Sequence, residues 1–115
     1  MPFKSHDEYF ATQPQFLRSR LEQIQQEVER QVPRSTRTIS YNLPAFKKEK
    51  TFLYFAAFKK HIGIYPPVTE DPELIKETEA LRGPKGNLSF RHDAELPIRL
   101  IGRVAKALES QYGTR

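Results

Sequence analysis

Chemistry in this chain must come from imidazoles, carboxylates, amines and phenols, because its 115 residues include no cysteine. Without thiolates the chain forms no disulfide, no thiol nucleophile and no Cys-ligated zinc or iron–sulfur cluster of its own. A metal such as iron would need carboxylate oxygens and imidazole nitrogens. The densest acidic run is Glu70, Asp71, Glu73 and Glu77. Glu73 and Glu77 stand four residues apart, so on a helix their carboxylates share one face and could hold a cation weakly. The competing role is electrostatic, since Asp71 and Glu73 suit the positive end of a helix starting at Pro72. Glu22, Gln26 and Glu29 share another helix face, but Arg18, Arg20 and Arg30 are interleaved with them.

None of the three histidines, His6, His61 and His92, has the i, i+4 spacing of a helical metal pair. His61 follows Lys59-Lys60 at an expected strand start. With Tyr41, Asn42, Phe46, Lys59 and Lys85 it could line a groove where imidazole binds a ligand or exchanges a proton; a hydrogen-bonded structural role is the alternative. Convergence of these side chains on one open pocket would favour a small ligand, and scattering would mean that they chiefly specify the fold. Lys47, Lys48, Lys50, Lys59, Lys60, Lys85 and Arg91 could surround exposed aromatics such as Tyr41 or Phe46, an arrangement suited to phosphate or nucleic acid. The formal charge of +5 also serves solubility. No Gly-rich phosphate loop follows a strand, no nucleophile elbow is present, and no Ser, His and acid are marked by spacing, so binding is expected rather than catalysis.

The elements that must position these groups are legible from periodicity and caps. Ser5-His6-Asp7-Glu8 has capping-box spacing and predicts a short first helix. A second starts near Pro14 and carries Phe16, Leu17, Leu21, Ile24, Val28 and Val32 as one apolar stripe, ending before Pro33. Thr36–Asn42 reads as a strand closed by Leu43-Pro44. Thr51–Phe58 is apolar on both parities, with Phe52, Tyr54, Ala56 and Phe58 on one face and Leu53, Phe55 and Ala57 on the other, as expected of a central strand. Lys59-Lys60 turns it into an antiparallel hairpin with His61–Tyr65, ended by Pro66-Pro67. Asp71-Pro72 caps a third helix with Leu74, Ile75 and Leu81 inward, stopped at Gly83. Leu88 and Phe90 mark another strand, and Pro97 starts a last helix striped by Leu100, Ile101, Val104, Ala105, Leu108 and Tyr112.

Helices at both ends and strands between predict one α+β domain over residues 1–115, with an antiparallel or mixed central sheet and the terminal helices packed on it. The 37% apolar and 29% charged content suits a globular chain. Residues 1–13 lack the apolar run of an export signal and no long apolar stretch follows, so a cytoplasmic location is expected.

Three ordered segments carry a resemblance: Ile39-Ser40-Tyr41-Asn42-Leu43-Pro44-Ala45-Phe46, then Phe55-Ala56-Ala57-Phe58-Lys59-Lys60-His61-Ile62-Gly63-Ile64-Tyr65-Pro66, then Lys85-Gly86-Asn87-Leu88-Ser89-Phe90. Together they resemble the YdhG-like family, from about Ile39 to Leu108. The resemblance implies a compact α+β fold with helices at both ends of an antiparallel sheet. Members are labelled either as domains of unknown function or as frataxin-like bacterial iron chaperones. The second label implies iron binding and delivery to iron–sulfur cluster or haem assembly partners. The expectation is therefore a non-enzymatic ligand-binding or chaperone-like protein, with a phosphate or nucleic-acid module using the basic face as the alternative. A purely structural partner domain would require an exposed apolar patch.

Overall fold

Ser5 does what its spacing predicts. In the computed structural model, which describes residues 2–114, its hydroxyl accepts from the Glu8 amide at 3.1 Å and caps α1 (His6–Ala11). The Glu8 carboxylate returns one residue early, accepting from the Lys4 amide at 2.8 Å. Six residues are too few to form a helix alone, so α1 depends on burying His6, Tyr9 and Phe10. The Tyr9 hydroxyl accepts from the Ala57 amide at 3.0 Å and fixes α1 against the end of the third strand.

Pro14 is the N-cap of α2 (Gln15–Gln31) rather than part of its first turn, and the helix stops at Val32 before Pro33. Leu17, Leu21, Ile24 and Val28 form its buried stripe. Phe16, expected on that stripe, is 56% exposed. A 3.6-residue period places residue 16 beside the stripe at the helix start, where its ring meets the His92 ring edge-on at 6.1 Å.

The sheet has five strands, not the four read from the sequence. β1 (Thr36–Ser40) turns through Tyr41-Asn42 into β2 (Leu43–Lys47), where the sequence suggested only a terminator. Tyr41 and Asn42 adopt φ of 53° and 58°, the left-handed pair that a two-residue hairpin needs. Pro44 sits inside β2 opposite Ile39, and the β2–β3 ladder begins only at Ala45↔Tyr54, so its missing N–H interrupts no pair in that ladder. β3 (Thr51–Ala57), β4 (His61–Tyr65) and β5 (Leu88–Arg91) complete a meander in the order β1-β2-β3-β4-β5, antiparallel throughout. β3 is central, and the hairpin to β4 pairs Ala57 with Ile62.

Alternation assigns the two sheet faces. Phe46, Leu53, Phe55, Ile62, Ile64, Leu88 and Phe90 point to one face through the pairs Phe46↔Leu53, Phe55↔Ile64↔Leu88 and Ile62↔Phe90. That face carries α1, α2 and α4 (Ile98–Leu108), and the seven side chains belong to the core. A register shift at Phe46/Lys47 leaves Phe52 unpaired and lets it join the core, instead of following Tyr54 to the second face.

Asp71 caps α3 (Pro72–Glu77) by accepting from the Leu74 amide at 3.0 Å. The helix stops there because the Thr78 hydroxyl takes the carbonyls of Leu74 and Ile75, at 2.8 and 3.2 Å, and a single tighter turn leads on to Gly83. α2 and α4 pack closely at Gly102, where any side chain would collide with the buried Glu27 carboxylate held by Arg30 and Gln31. After α4 a wider turn over Glu109–Gly113 brings the Gly113 carbonyl to the amides of Glu49 and Lys50 at 2.9 and 3.1 Å, anchoring the basic β2–β3 turn. No helix among the described residues is long and apolar enough to cross a membrane.

Candidate functional site

The second sheet face has small residues as its floor. Ala45, Ala56, Gly63 and Ser89 share the parity of Tyr54, Tyr65 and His61 in the strand pairs. Large rings stand on that floor. Tyr41, Leu43, Tyr54, Phe58 and Tyr65 line a shallow depression of about 310 Å³ to which no helix contributes. The Tyr41 ring lies 5.7 Å from Tyr54 at a 42° tilt, Tyr65 meets Phe58 edge-on at 6.4 Å, and Phe58 stacks on His61 at 5.1 Å. The rings run from the β1–β2 turn over β3 and β4 to the β3–β4 turn, where Phe58 lies face-on to His61.

Gly63 explains how Tyr65 joins the row. A Cβ at Gly63 would lie 2.8 Å from both the Cε2 and the hydroxyl of Tyr65, so only glycine lets the ring lie down over β4. Tyr41 is the opposite case, a bulky residue held at positive φ on a hairpin tip and 85% exposed. The two-residue turn requires that φ, and it sets the Tyr41 ring out at the edge of the row.

Beyond His61 the row opens into a second depression of about 550 Å³, lined by Lys60, His61, Ser89, Arg91, His92 and Asp93. His92 donates from Nε2 to the Phe58 carbonyl at 2.7 Å, and its Nδ1 is buried. Arg20 fixes the turn beneath by donating to the carbonyls of Arg91 and Ala94, at 2.7 and 2.8 Å. Arg91 and Asp93 form a two-point exposed pair at 3.0 and 2.8 Å, and the hydrogen bonds from Arg91 hold the Asp93 carboxyl below its usual range. Lys60 and the His61 ring nitrogens have no ion pair or hydrogen bond with a described residue.

A family model described as a domain of unknown function, DUF5655, matches residues 6–109. The chain belongs to the DUF5655 family. Among solved structures, the YdhG protein of Bacillus subtilis, from the DUF1801 family, superposes with a TM-score of 0.74 at 18% identity, covering 91% of this chain and 88% of that one. The YdhG-like resemblance is therefore borne out as a shared α+β fold. No curated protein matches.

Of the groove candidates, this DUF5655 domain brings only some together. Tyr41 belongs to the ring depression and His61 to the adjoining basic one. Asn42 forms the other half of the hairpin tip, where its Oδ1 accepts from the Phe3 amide at 2.7 Å. Lys59 is exposed in the β3–β4 turn, and Lys85 lies in the turn before β5. Phe46 is fully buried on the helix-covered face, stacked on Phe55 at 5.9 Å. The sequence reading missed Tyr54 and Tyr65 as site residues. Their shared parity in the hairpin was visible, but which parity the helices leave open was not.

The acidic candidates lie elsewhere. Glu73 and Glu77 are exposed on α3, and Glu77 is paired with Arg103 at 2.5 Å. Among the described residues no three His, Asp or Glu side chains gather in a way that could hold a metal ion. The adjacent cleft of about 510 Å³, between α3 and α4, is lined by both signs of charge, including Asp71, Arg103 and Lys106.

Proposed function

We propose that this DUF5655 domain is a non-enzymatic binding module that holds a flat, unsaturated ligand against the open face of its sheet. The observation that carries the reading is the row Tyr41, Tyr54, Tyr65 and Phe58 over a floor of alanine and glycine, uncovered by any helix. Aromatic rings prefer offset or edge contacts with other rings, so the row selects planar π-systems over saturated ones of equal area. An iron-delivery role has no comparable support here, because the Glu73–Glu77 pair has an arginine counter-ion on one member.

Tyrosine fluorescence provides the assay, since the chain has five tyrosines and no tryptophan. Purine, indole and naphthoate fragments should quench it saturably, and their saturated counterparts should not. A Tyr54→Ser, Tyr65→Ser double variant should bind about tenfold or more weakly, given roughly 1–3 kcal/mol per stacked ring. Gly63→Ala is the subtler probe. It should displace the Tyr65 ring and weaken binding severalfold while changing stability by less than about 1 kcal/mol, because the ring can swing outward at the surface. Equal binding of flat and saturated fragments, or wild-type affinity in the double variant, would contradict the reading.

A further inference from the structure

The aromatic row does not end in solvent. At His61 it runs into the depression formed by Lys60, His61, Ser89 and Arg91, so a stacking surface and a set of anion donors are continuous. We propose that the ligand is single-stranded nucleic acid, its bases stacked along Tyr41, Tyr54, Tyr65 and Phe58 and a backbone phosphate held by Lys60, His61 and Arg91. The proposal rests on the open sheet face being the binding surface and adds the class of ligand.

Two observations support a strand over a lone aromatic molecule. The row sets four rings, Tyr41, Tyr54, Tyr65 and Phe58, over β3, β4 and the two flanking turns, a longer surface than one planar group covers. Its neighbourhood is basic: Lys47 shares the face through its pairing with Thr51, Lys59 and Lys60 stand at the far turn, and none of the three is neutralised by an ion pair with a described residue. The combination of stacking rings with a positive track is how sequence-tolerant single-strand binding works, since every base has a π-face and every nucleotide a charge. The mixed cleft between α3 and α4 has no such rings.

Asp93 makes the inference unusually testable. Among the described residues it is the one acid lining the basic depression, and it engages the Nε and one terminal nitrogen of Arg91. The pair is exposed on both sides, so its strength is small and a phosphate can take its place. Converting Asp93→Asn removes the competitor and one negative charge, and binding of a polyanion should then tighten by a few fold. A neutral ligand docked on the rings has no reason to respond in that direction.

The experiment is fluorescence anisotropy with labelled oligouridylate and oligodeoxythymidylate of about eight nucleotides, with a purine nucleoside as the uncharged comparison. Both oligomers should bind saturably at low salt and far more tightly than the nucleoside. With about three phosphates neutralised, one in the Lys60–His61–Arg91 depression and the others by Lys47 and Lys59, affinity should fall with a log–log salt slope near −2. Lys60→Ala, Arg91→Ala should flatten that slope, Tyr54→Ser, Tyr65→Ser should weaken binding about tenfold or more, and Asp93→Asn should tighten it. A preference for one oligomer over the other identifies the sugar and leaves the class intact. If the nucleoside binds the rings but the oligomers bind no better, the nucleic-acid inference is overturned and the planar-ligand reading stands. If neither binds, both are overturned.

Discussion

Replacing Phe46 by alanine is expected to destabilise the domain by about 3–5 kcal/mol. The residue sits within a segment that resembles a family motif and beside a basic turn, which made it a candidate for a ligand groove. Its environment is that of a core residue. It is 0% exposed, its ring is stacked on Phe55 at 5.9 Å and 11°, and the His6 ring meets it edge-on at 5.1 Å. Truncation would remove the buried area of a whole ring and leave a cavity that β2 and β3, paired at Phe46↔Leu53, cannot close. Urea unfolding of wild type and variant measures the difference. A change below about 1 kcal/mol would show that the ring is not packed as described.

The second large effect centres on His6, which no motif marks. It is 2% exposed in a cage of Phe10, Phe46 and Phe55, and all its polar capacity is used. Nε2 lies 2.9 Å from the Ala45 carbonyl and 3.1 Å from that of Thr38, so it carries the proton, and Nδ1 accepts from the Gln25 amide at 3.0 Å. One neutral imidazole thus ties α1, α2, β1 and β2 together. His6→Ala would leave two carbonyls and an amide without this partner and open a cavity, a cost of about 2–4 kcal/mol.

The same geometry sets a pH dependence. Burial pushes the His6 pKa below its ordinary 6.5, outweighing the two carbonyl hydrogen bonds that favour the charged ring. Below pH 6.5 the unfolded chain takes up a proton that the folded chain resists, so the unfolded state binds more protons and stability rises with pH. Full stability from this residue is present above 6.5 and is lost as the pH falls from there toward the folded-state value. Wild-type unfolding midpoints should therefore drop as pH is lowered through 6.5, and the His6→Ala midpoint should drop less. Parallel curves would show that His6 is not the group responsible.

Much of the fold was legible wherever a side chain acts on its own backbone. Ser5 and Asp71 cap the helices they were expected to cap, and the β3–β4 hairpin follows from an apolar run, a Lys-Lys turn and closing prolines. β2 was not legible, for two local reasons. Pro44 reads as a strand breaker, and the Tyr41-Asn42 turn lacks the glycine that usually announces a two-residue hairpin. Once β2 is a strand, Phe46 is committed to the covered face and Tyr41 to a hairpin tip.

The candidate site was legible only in part, because β3 is apolar on both parities and sequence alternation cannot say which side the helices take. Tyr41 and His61 were singled out from their segments, whereas Tyr54 and Tyr65 became site residues through the pair Tyr54↔Tyr65 on the uncovered face. His6 had no readable signal, since its three partners lie 19 to 39 residues away in sequence. The acidic pair Glu73 and Glu77 was visible as a helix spacing, while its arginine neighbour comes from α4.

We propose that ligand meets this domain on the open aromatic face. Chemical-shift mapping of backbone amides and tyrosine rings during titration with a purine nucleoside tests it most directly. Saturable shifts are expected at Tyr41, Tyr54, Phe58, Gly63 and Tyr65, with α2 and α4 silent. Shifts confined to the cleft around Asp71, Arg103 and Lys106, or no saturable shift at all, would contradict it.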